Sequence, residues 1–277
     1  FLSHVFHYVA FTCRKPMSNF DKGILVVSID VDVGCKEIGI KNKGKNDLNV
    51  HKYLTEEKVG EIEELATPLF IKFFNEMEVP VTFALRGQLA ETDGEIIKLL
   101  LQSPLKHDIG AQGYYHKAFT TLSRADAEKE LEMTSKGMKK FGIKPKSFVF
   151  PKNKVAHLSL LEKWRYLCFR GCEDLQSNGM YVKKYGNLYD IHPGLYLGRC
   201  YDPMFPKKII NISVKYKVPF HVWFHPWDFG CSLEAINKRI TKVLLPFIRY
   251  AKEKEKQGIL RFETMRSLAE KQSTLYE

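Results

Sequence analysis

No run of 18 apolar residues occurs in this 277-residue sequence, so no membrane-spanning helix is expected. There is no C-x-x-C pair. The six cysteines (13, 35, 168, 172, 200 and 231) are scattered, and 168 and 172 are too irregularly placed for a zinc ligand set. Free thiols in a reducing, cytoplasmic compartment are the expectation. Internal repeats, low-complexity tracts and long linkers are also missing, which favours one domain. So are a recognised nucleic-acid motif and a basic–aromatic stripe. The net charge of +11 therefore reads as a solvated surface. Its lysine clusters at 41–45 and 252–256 are short and mixed with Asn, Gly or Glu. At most they give a weak preference for anionic substrates. Residues 1–16 begin without Met, are rich in aromatics and carry Arg14 and Lys15 at their far end, which reverses the charge order of a signal peptide. Met17 is read as the natural start, residues 1–16 as an extension, and 17–277 as the domain.

Hydrophobic residues are 44% of the chain, enough for a full core. The stretch Ile24-Leu-Val-Val-Ser-Ile-Asp-Val-Asp-Val-Gly34 organises them. Its aliphatic, β-branched run predicts a buried strand over 24–33. Side chains alternate along a strand. Leu25, Val27, Ile29, Val31 and Val33 then share one apolar face, while Val26, Ser28, Asp30 and Asp32 share the other. Two carboxylates side by side in a buried place need a cation, a shared proton or water between them. The plainer reading is that one of them caps the following turn.

Strand and helix patterns alternate along the chain. A polar loop at 36–50 leads to a helix from Thr55 to about 78. Strands are expected at 80–85, 107–112, 147–150, 166–170, 218–224 and 259–262. Helices are expected at 91–102, from 122–123 to 141 with Gly142 closing it, at 155–164, at 233–254 and from Met265 onward. Residues 173–215 are Gly-, Tyr- and Pro-rich and read as an irregular insertion with short hairpins. Seven such units predict an α/β fold, a distorted (β/α)7 barrel of TIM-like type with parallel strands. An open doubly wound sheet is the alternative.

Barrel chemistry sits at the carboxyl ends of strands. Polar residues gather at those predicted ends: Asp30 and Asp32, Arg86, Gln112 with His116 beyond it, Lys152 and Asn153, Arg170, His225 and Glu263. Each has a structural explanation. His221 reads as a hydrogen-bonded core residue, and Arg170 as the partner of an acid. Their convergence on one rim favours an active site.

Taken in order, these motifs resemble the polysaccharide deacetylases, metal-dependent carbohydrate esterases on a distorted β/α barrel. Ser28-Ile-Asp-Val-Asp-Val-Gly34 is similar to the family's T-F-D-D-G, and Val81-Thr-Phe-Ala-Leu-Arg-Gly87 to A-T-F-F-x-x-G. Asp108-Ile-Gly-Ala-Gln-Gly-Tyr-Tyr-His116 is similar to E-I-G-x-H-T-x-x-H. Phe148-Val-Phe-Pro-Lys-Asn153 stands where the family has R-P-P, and Phe224-His-Pro-Trp-Asp228 where it has L-x-H. The resemblance spans 24 to about 265. It implies a hydrolase that removes an acetyl group from an N-acetylated sugar or glycan precursor by metal-assisted water attack. Asp30 would be the general base and His225 the general acid; Asp32 and His116 would hold a divalent metal, with zinc the first choice. Arg86, Lys152, Arg170 and Trp227 are candidate substrate contacts, and Tyr114 and Tyr115 offer further stacking faces.

Three departures stand out. Gln112 replaces the family's first metal histidine, and a neutral amide oxygen is a poorer zinc ligand than imidazole. Val31 separates the paired acids. The R-P-P arginine is absent from its usual place, where Lys152 offers a point charge rather than a fork. These keep a second reading open: a catalytically weakened carbohydrate-binding relative. A carbohydrate is the expected partner, with neither nucleic acid nor membrane; a homo-oligomer is left open by the sequence.

Overall fold

The computed structural model describes residues 20–32, 65–92, 94–171, 180–230 and 232–274. The expectations for residues 1–16, the 36–50 loop, the Thr55 helix start, Val33 and Cys13, Cys35, Cys172 and Cys231 lie outside them. The described chain runs β1 (Gly23–Val31), α1 (Thr67–Glu76), β2 (Thr82–Leu85), α2 (Leu89–Thr92), α3 (Gly94–Leu101), β3 (Asp108–Ala111), α4 (Arg124–Lys139) and β4 (Ser147–Val149). It continues through α5 (Leu158–Lys163), β5 (Cys168–Arg170), β6 (Val182–Tyr185), β7 (Leu188–Ile191), β8 (Leu195–Tyr196), α6 (Met204–Tyr216) and β9 (Pro219–Phe224). Then come α7 (Leu233–Arg239), α8 (Leu245–Lys256), β10 (Leu260–Glu263) and α9 (Met265–Thr274).

β1 is buried along its whole length and stands at the centre of one curled sheet. β9 runs parallel to it on one side. On the other side β10 pairs with Gly23–Val26, and β2 with Ser28–Val31. The order onward from β2 is β3, β4, β5, β7 and β6, with β8 beyond β9. Within the described sheet only the β6–β7 pair is antiparallel. The fold is thus α/β, a parallel sheet curled into an incompletely closed barrel with helices outside it. The segment after β7 spans the gap: Gly194 donates its N–H to the His221 carbonyl at 2.8 Å, and His221 Nδ1 lies 2.9 Å from the Ile191 carbonyl.

The two faces of β1 separate as their alternation predicts. Leu25, Val27, Ile29 and Val31 join the outer core beneath the helices. Each such burial stabilises by roughly 1.5–3 kcal/mol, so this face can carry a strand whose other face holds acids. Ile24 and Val26 turn inward, against Met265, Leu268 and Ala269 of α9. That helix plugs the bottom of the barrel, and neighbouring strands cap it. Thr82 Oγ1 accepts the Met265 amide at 2.9 Å, and Asp108 Oδ2 accepts the Arg266 amide at 3.3 Å. Asp108 also takes the hydroxyls of Thr82 and Ser147, while burial raises its carboxyl above the ordinary value.

Most predicted elements fall within a few residues of their observed ends, and Ser123 caps α4 by accepting the Asp126 amide. Two expectations change. Within 173–215 the described residues from 180 on form regular elements rather than an irregular insertion, and β6 and β7 make the short hairpin expected there. β7 pairs with β5 and extends the barrel sheet, and α6 follows as a 13-residue helix. Its Pro206 sits in the first turn, where no intrahelical amide bond is lost. Strands of two to four residues carry too little alternation to be read through the surrounding Gly, Tyr and Pro. The strand count therefore exceeds the seven expected. Glu263 is also not a rim residue. It sits opposite Val26, low in the barrel, and pairs with Lys271, Arg261 and the Ser267 hydroxyl.

Below β3, His107 sets a pH dependence. Its Nδ1 accepts the Val81 amide at 3.3 Å, which places the ring proton on Nε2, facing Asn75 Oδ1 at 3.1 Å. Burial pushes this imidazole down to about 4. An unfolded histidine titrates near ~6.5, so protonation favours the unfolded chain. The contribution of His107 to stability is complete above that value and is lost as pH falls through about 4. Urea midpoints measured from pH 7 to 4 should fall, and His107→Gln should flatten part of the slope. An identical slope in the variant would refute this assignment.

Candidate functional site

Asp30 ends the inward face of β1 and Asp32 follows the strand; both are buried. Arg170, from the end of β5, reaches across the barrel to Asp30. Its Nη1 donates to Asp30 Oδ1 at 2.8 Å and its Nη2 to Oδ2, a bidentate pair. Nη1 also donates to Ser28 Oγ at 2.9 Å, and Ser28 Oγ lies 2.8 Å from His221 Nε2. With His221 Nδ1 turned to a carbonyl, Nε2 is the acceptor and the ring is neutral. Burial, with Arg170 nearby, pushes His221 down to about 3. His221 is thus a core residue beneath the site, as the sequence suggests. The guanidinium of Arg170 also lies 4.4 Å over the Trp223 ring, on which Tyr196 stacks and which His225 meets edge-on.

Asp32 faces the two candidate histidines. Its Oδ2 lies 3.4 Å from His116 Nε2 and 3.4 Å from His225 Nε2, while Oδ1 accepts the Trp227 indole N–H at 3.2 Å. Burial opposes the charge of Asp32, yet His225, His116 and Trp227 together hold it well below the usual carboxylate range. His225 Nε2 is also 3.8 Å from Asp30 Oδ2. Its Nδ1 lies 3.0 Å from Asp228 Oδ2, which also accepts the His225 backbone amide at 2.7 Å. Burial alone would lower His225, but Asp32 and Asp228 raise it well above the ordinary imidazole value. Trp227 stacks on the His225 ring at 4.2 Å. Tyr196 donates its hydroxyl to Asp228 Oδ1, and Arg239 donates to the carbonyls of Asp228, Gly198 and Cys200.

Gln112 follows β3 on its inward side. Its Nε2 donates to Asp30 Oδ2 at 3.2 Å, while its Oε1 is buried with no hydrogen-bond partner. His116 closes the following turn with φ +58°, and its Nδ1 is likewise buried and unpartnered. Burial lowers the His116 imidazole and keeps it neutral, the state that binds metals. Arg86 follows β2, buried, with Nη1 donating to Gln88 Oε1 at 2.9 Å. Lys152 is exposed at the rim in left-handed backbone, away from the acids.

The structure thus brings together Asp30, Asp32, Gln112, His116, Arg170, His225 and Trp227, and leaves Lys152 outside. Sequence reasoning missed Asp228 and Tyr196 as parts of the cluster. Asp228 had a signal: it stands three residues after His225, the spacing of a capping box, which forms here. Tyr196 had none, lying in the stretch read as irregular.

Two ligands at zinc distances of about 2.0–2.2 Å lie roughly 3.4 Å apart on a tetrahedral ion. The Asp32–His116 separation matches that spacing. Among the described residues no group of three or more His, Cys, Asp and Glu side chains forms a metal cage. His225 Nε2 stands at the same 3.4 Å from Asp32, but Asp32 and Asp228 favour its protonated form, whereas His116 is kept neutral. The residues that fit a divalent cation are Asp32 and His116, with the unpartnered Gln112 Oε1 as a neutral oxygen.

This fold has counterparts. A family model for polysaccharide deacetylases matches residues 55–164. No curated protein matches the chain. Among solved structures, a "probable Polysaccharide deacetylase" from Pseudomonas aeruginosa PAO1 aligns at TM-score 0.65 and 13% identity, over 89% of each chain. The Puue allantoinase aligns at 0.64 and 14%, also over 89% of each. A CE4 family pseudoenzyme from Bacillus anthracis aligns at 0.50 and 14%, over 90% of this chain and 66% of its own. The resemblance read from the motifs is borne out by the family model over its span, and the neighbours share the fold.

Proposed function

We propose that this protein is a hydrolase that cleaves an acetyl group from an N-acetylated sugar or glycan precursor. The observation that carries the reading is the placement of Asp30, Asp32, His116 and His225 in one buried cluster at the carboxyl end of β1. A divalent metal held by Asp32, His116 and the Gln112 oxygen would polarise the acyl carbonyl and acidify a water. Asp30 would serve as base toward an attacking water; its fork with Arg170 fixes which lone pairs remain available. His225 returns a proton to the departing amine through Nε2, because Asp228 occupies Nδ1. Trp227 orients Asp32 and is itself buried, and Trp223 is covered by Arg170 and Tyr196, so sugar stacking falls to the exposed ring of Tyr115. Arg86 and the exposed Lys152 remain candidate substrate contacts. Cys168 and Cys200 are free thiols, in keeping with a cytoplasmic precursor rather than a finished wall polymer.

Gln112 favours a second reading. Its amide nitrogen is committed to Asp30, and two firm ligands are fewer than the three that catalytic zinc usually keeps. A carbohydrate-binding descendant without catalysis would keep this cleft. Zinc stoichiometry after dialysis and acetate release from N-acetylglucosamine oligomers, wild type against Gln112→His, separate the two. The enzyme reading expects sub-stoichiometric zinc and slow release in the wild type, both raised by Gln112→His. Empty sites and no release in both proteins would leave only the binding reading.

A further inference from the structure

Helix α4 carries an acid where an amphipathic helix should carry an apolar side chain. Glu130 is 4% exposed, within the buried stripe that includes Ala127, Leu131, Thr134, Gly137 and Met138. A buried acid is costly unless its oxygens are fully used. Glu130 Oε2 accepts two consecutive backbone amides, from Tyr114 at 2.7 Å and from Tyr115 at 2.8 Å. These belong to the turn between Gln112 and His116. That turn departs from ordinary backbone twice, at Gly113 (φ +70°) and at His116 (φ +58°). A non-glycine residue in left-handed backbone persists only where its surroundings over-determine it. Here two consecutive peptide units of the turn are tied: the Gly113 carbonyl accepts the Gly87 amide at 2.8 Å, and Glu130 takes the Tyr114 and Tyr115 amides just before His116. The helix comes near enough to do this because it packs on bare backbone. A Cβ on Gly137 would lie 3.0 Å from the Gly87 carbonyl oxygen, and one on Gly87 would lie 2.6 Å from Thr134 Cα.

We propose that Glu130 is the positioning residue for His116: one carboxylate oxygen, delivered by α4, folds the turn that aims the His116 ring at Asp32. The inference rests on the reading of His116 as a metal-facing group. Glu130 touches neither metal nor substrate, so its removal should loosen the site rather than dismantle the fold.

The test uses the full chain as wild type, Glu130→Gln and Glu130→Ala. Zinc affinity is measured by competition with a chromophoric chelator, amide exchange at Tyr114 and Tyr115 by NMR, and the His116 ring nitrogens by ¹⁵N shifts. Glu130→Ala should weaken zinc about 10–100-fold, the usual scale for removing a group that orients a ligand. It should also expose both amides to exchange and shift the ring signals. Glu130→Gln keeps an acceptor oxygen and should retain amide protection and most of the affinity. Should Glu130→Ala not fold, Glu130→Asp replaces it: the shorter arm cannot reach both amides, and the same losses are expected. A folded Glu130→Ala that is less heat-stable but keeps zinc affinity within about twofold and both amides protected would overturn the proposal. If the wild type binds no zinc, the metal reading of the site falls. Glu130 is then decided by the other readouts: unchanged exchange and ring shifts overturn it, and altered ones sustain it.

Discussion

Arg170→Ala should lower the free energy of unfolding by about 3–5 kcal/mol, the scale for leaving one member of a buried ion pair alone. Arg170 is 1% exposed and its side chain is shared between Asp30, Ser28 and the Trp223 ring. Truncation removes the fork from a carboxylate that water reaches poorly. It also empties the space beneath the site, so Ser28 and His221 lose the end of their hydrogen-bond chain. Arg170→Lys should recover only part of the loss, since an ammonium offers a point charge and no fork. Urea unfolding at pH 7 measures both. A change under 1 kcal/mol in Arg170→Ala would mean that Asp30 finds another partner, with Gln112 and His225 the nearest.

The second large effect concerns rate. Asp30→Asn should reduce deacetylation roughly 10²-fold or more while leaving bound metal in place, the usual scale for loss of a general base. Asp32→Asn should act in the other order, emptying the metal first. The structure adds a condition. An asparagine at position 30 keeps one acceptor for Arg170 but turns an N–H₂ toward the remaining donors, so the variant will also be less stable. Rates must therefore be taken well below its unfolding transition, with metal content determined on the same samples. Equal loss of metal and activity in Asp30→Asn would make Asp30 a ligand and end its assignment as the base.

Much of this arrangement was legible in the sequence because strand parity is local. Once 24–33 is a strand, Ser28, Asp30 and Asp32 must share a face, and the inward turn of Gln112, Arg170 and His221 follows from the same period of two. The ordered motifs supplied the rest of the candidate cluster. Partnership was not local. An acid partner for Arg170 was foreseen from its charge, but that the acid is Asp30 depends on the curvature that brings β5 across from β1. The missing R-P-P arginine directed attention to Lys152, one strand away, although the fork that reaches Asp30 comes from Arg170.

The sequence by itself determined the alternation of strands and helices, the inward and outward faces of β1, and the residue types at the strand ends. Those depend on backbone periodicity and on burying apolar area, both set within a dozen residues. Only the tertiary structure decided that β7 pairs with β5, that Tyr196 braces Asp228 behind His225, and that Glu130 holds the turn before His116. Each of these is a contact between residues far apart in the chain, or a choice of partner among equivalent donors and acceptors. Hydrogen bonds of that kind are selected by which surfaces the curled sheet brings within about 3 Å, and no local pattern encodes that distance.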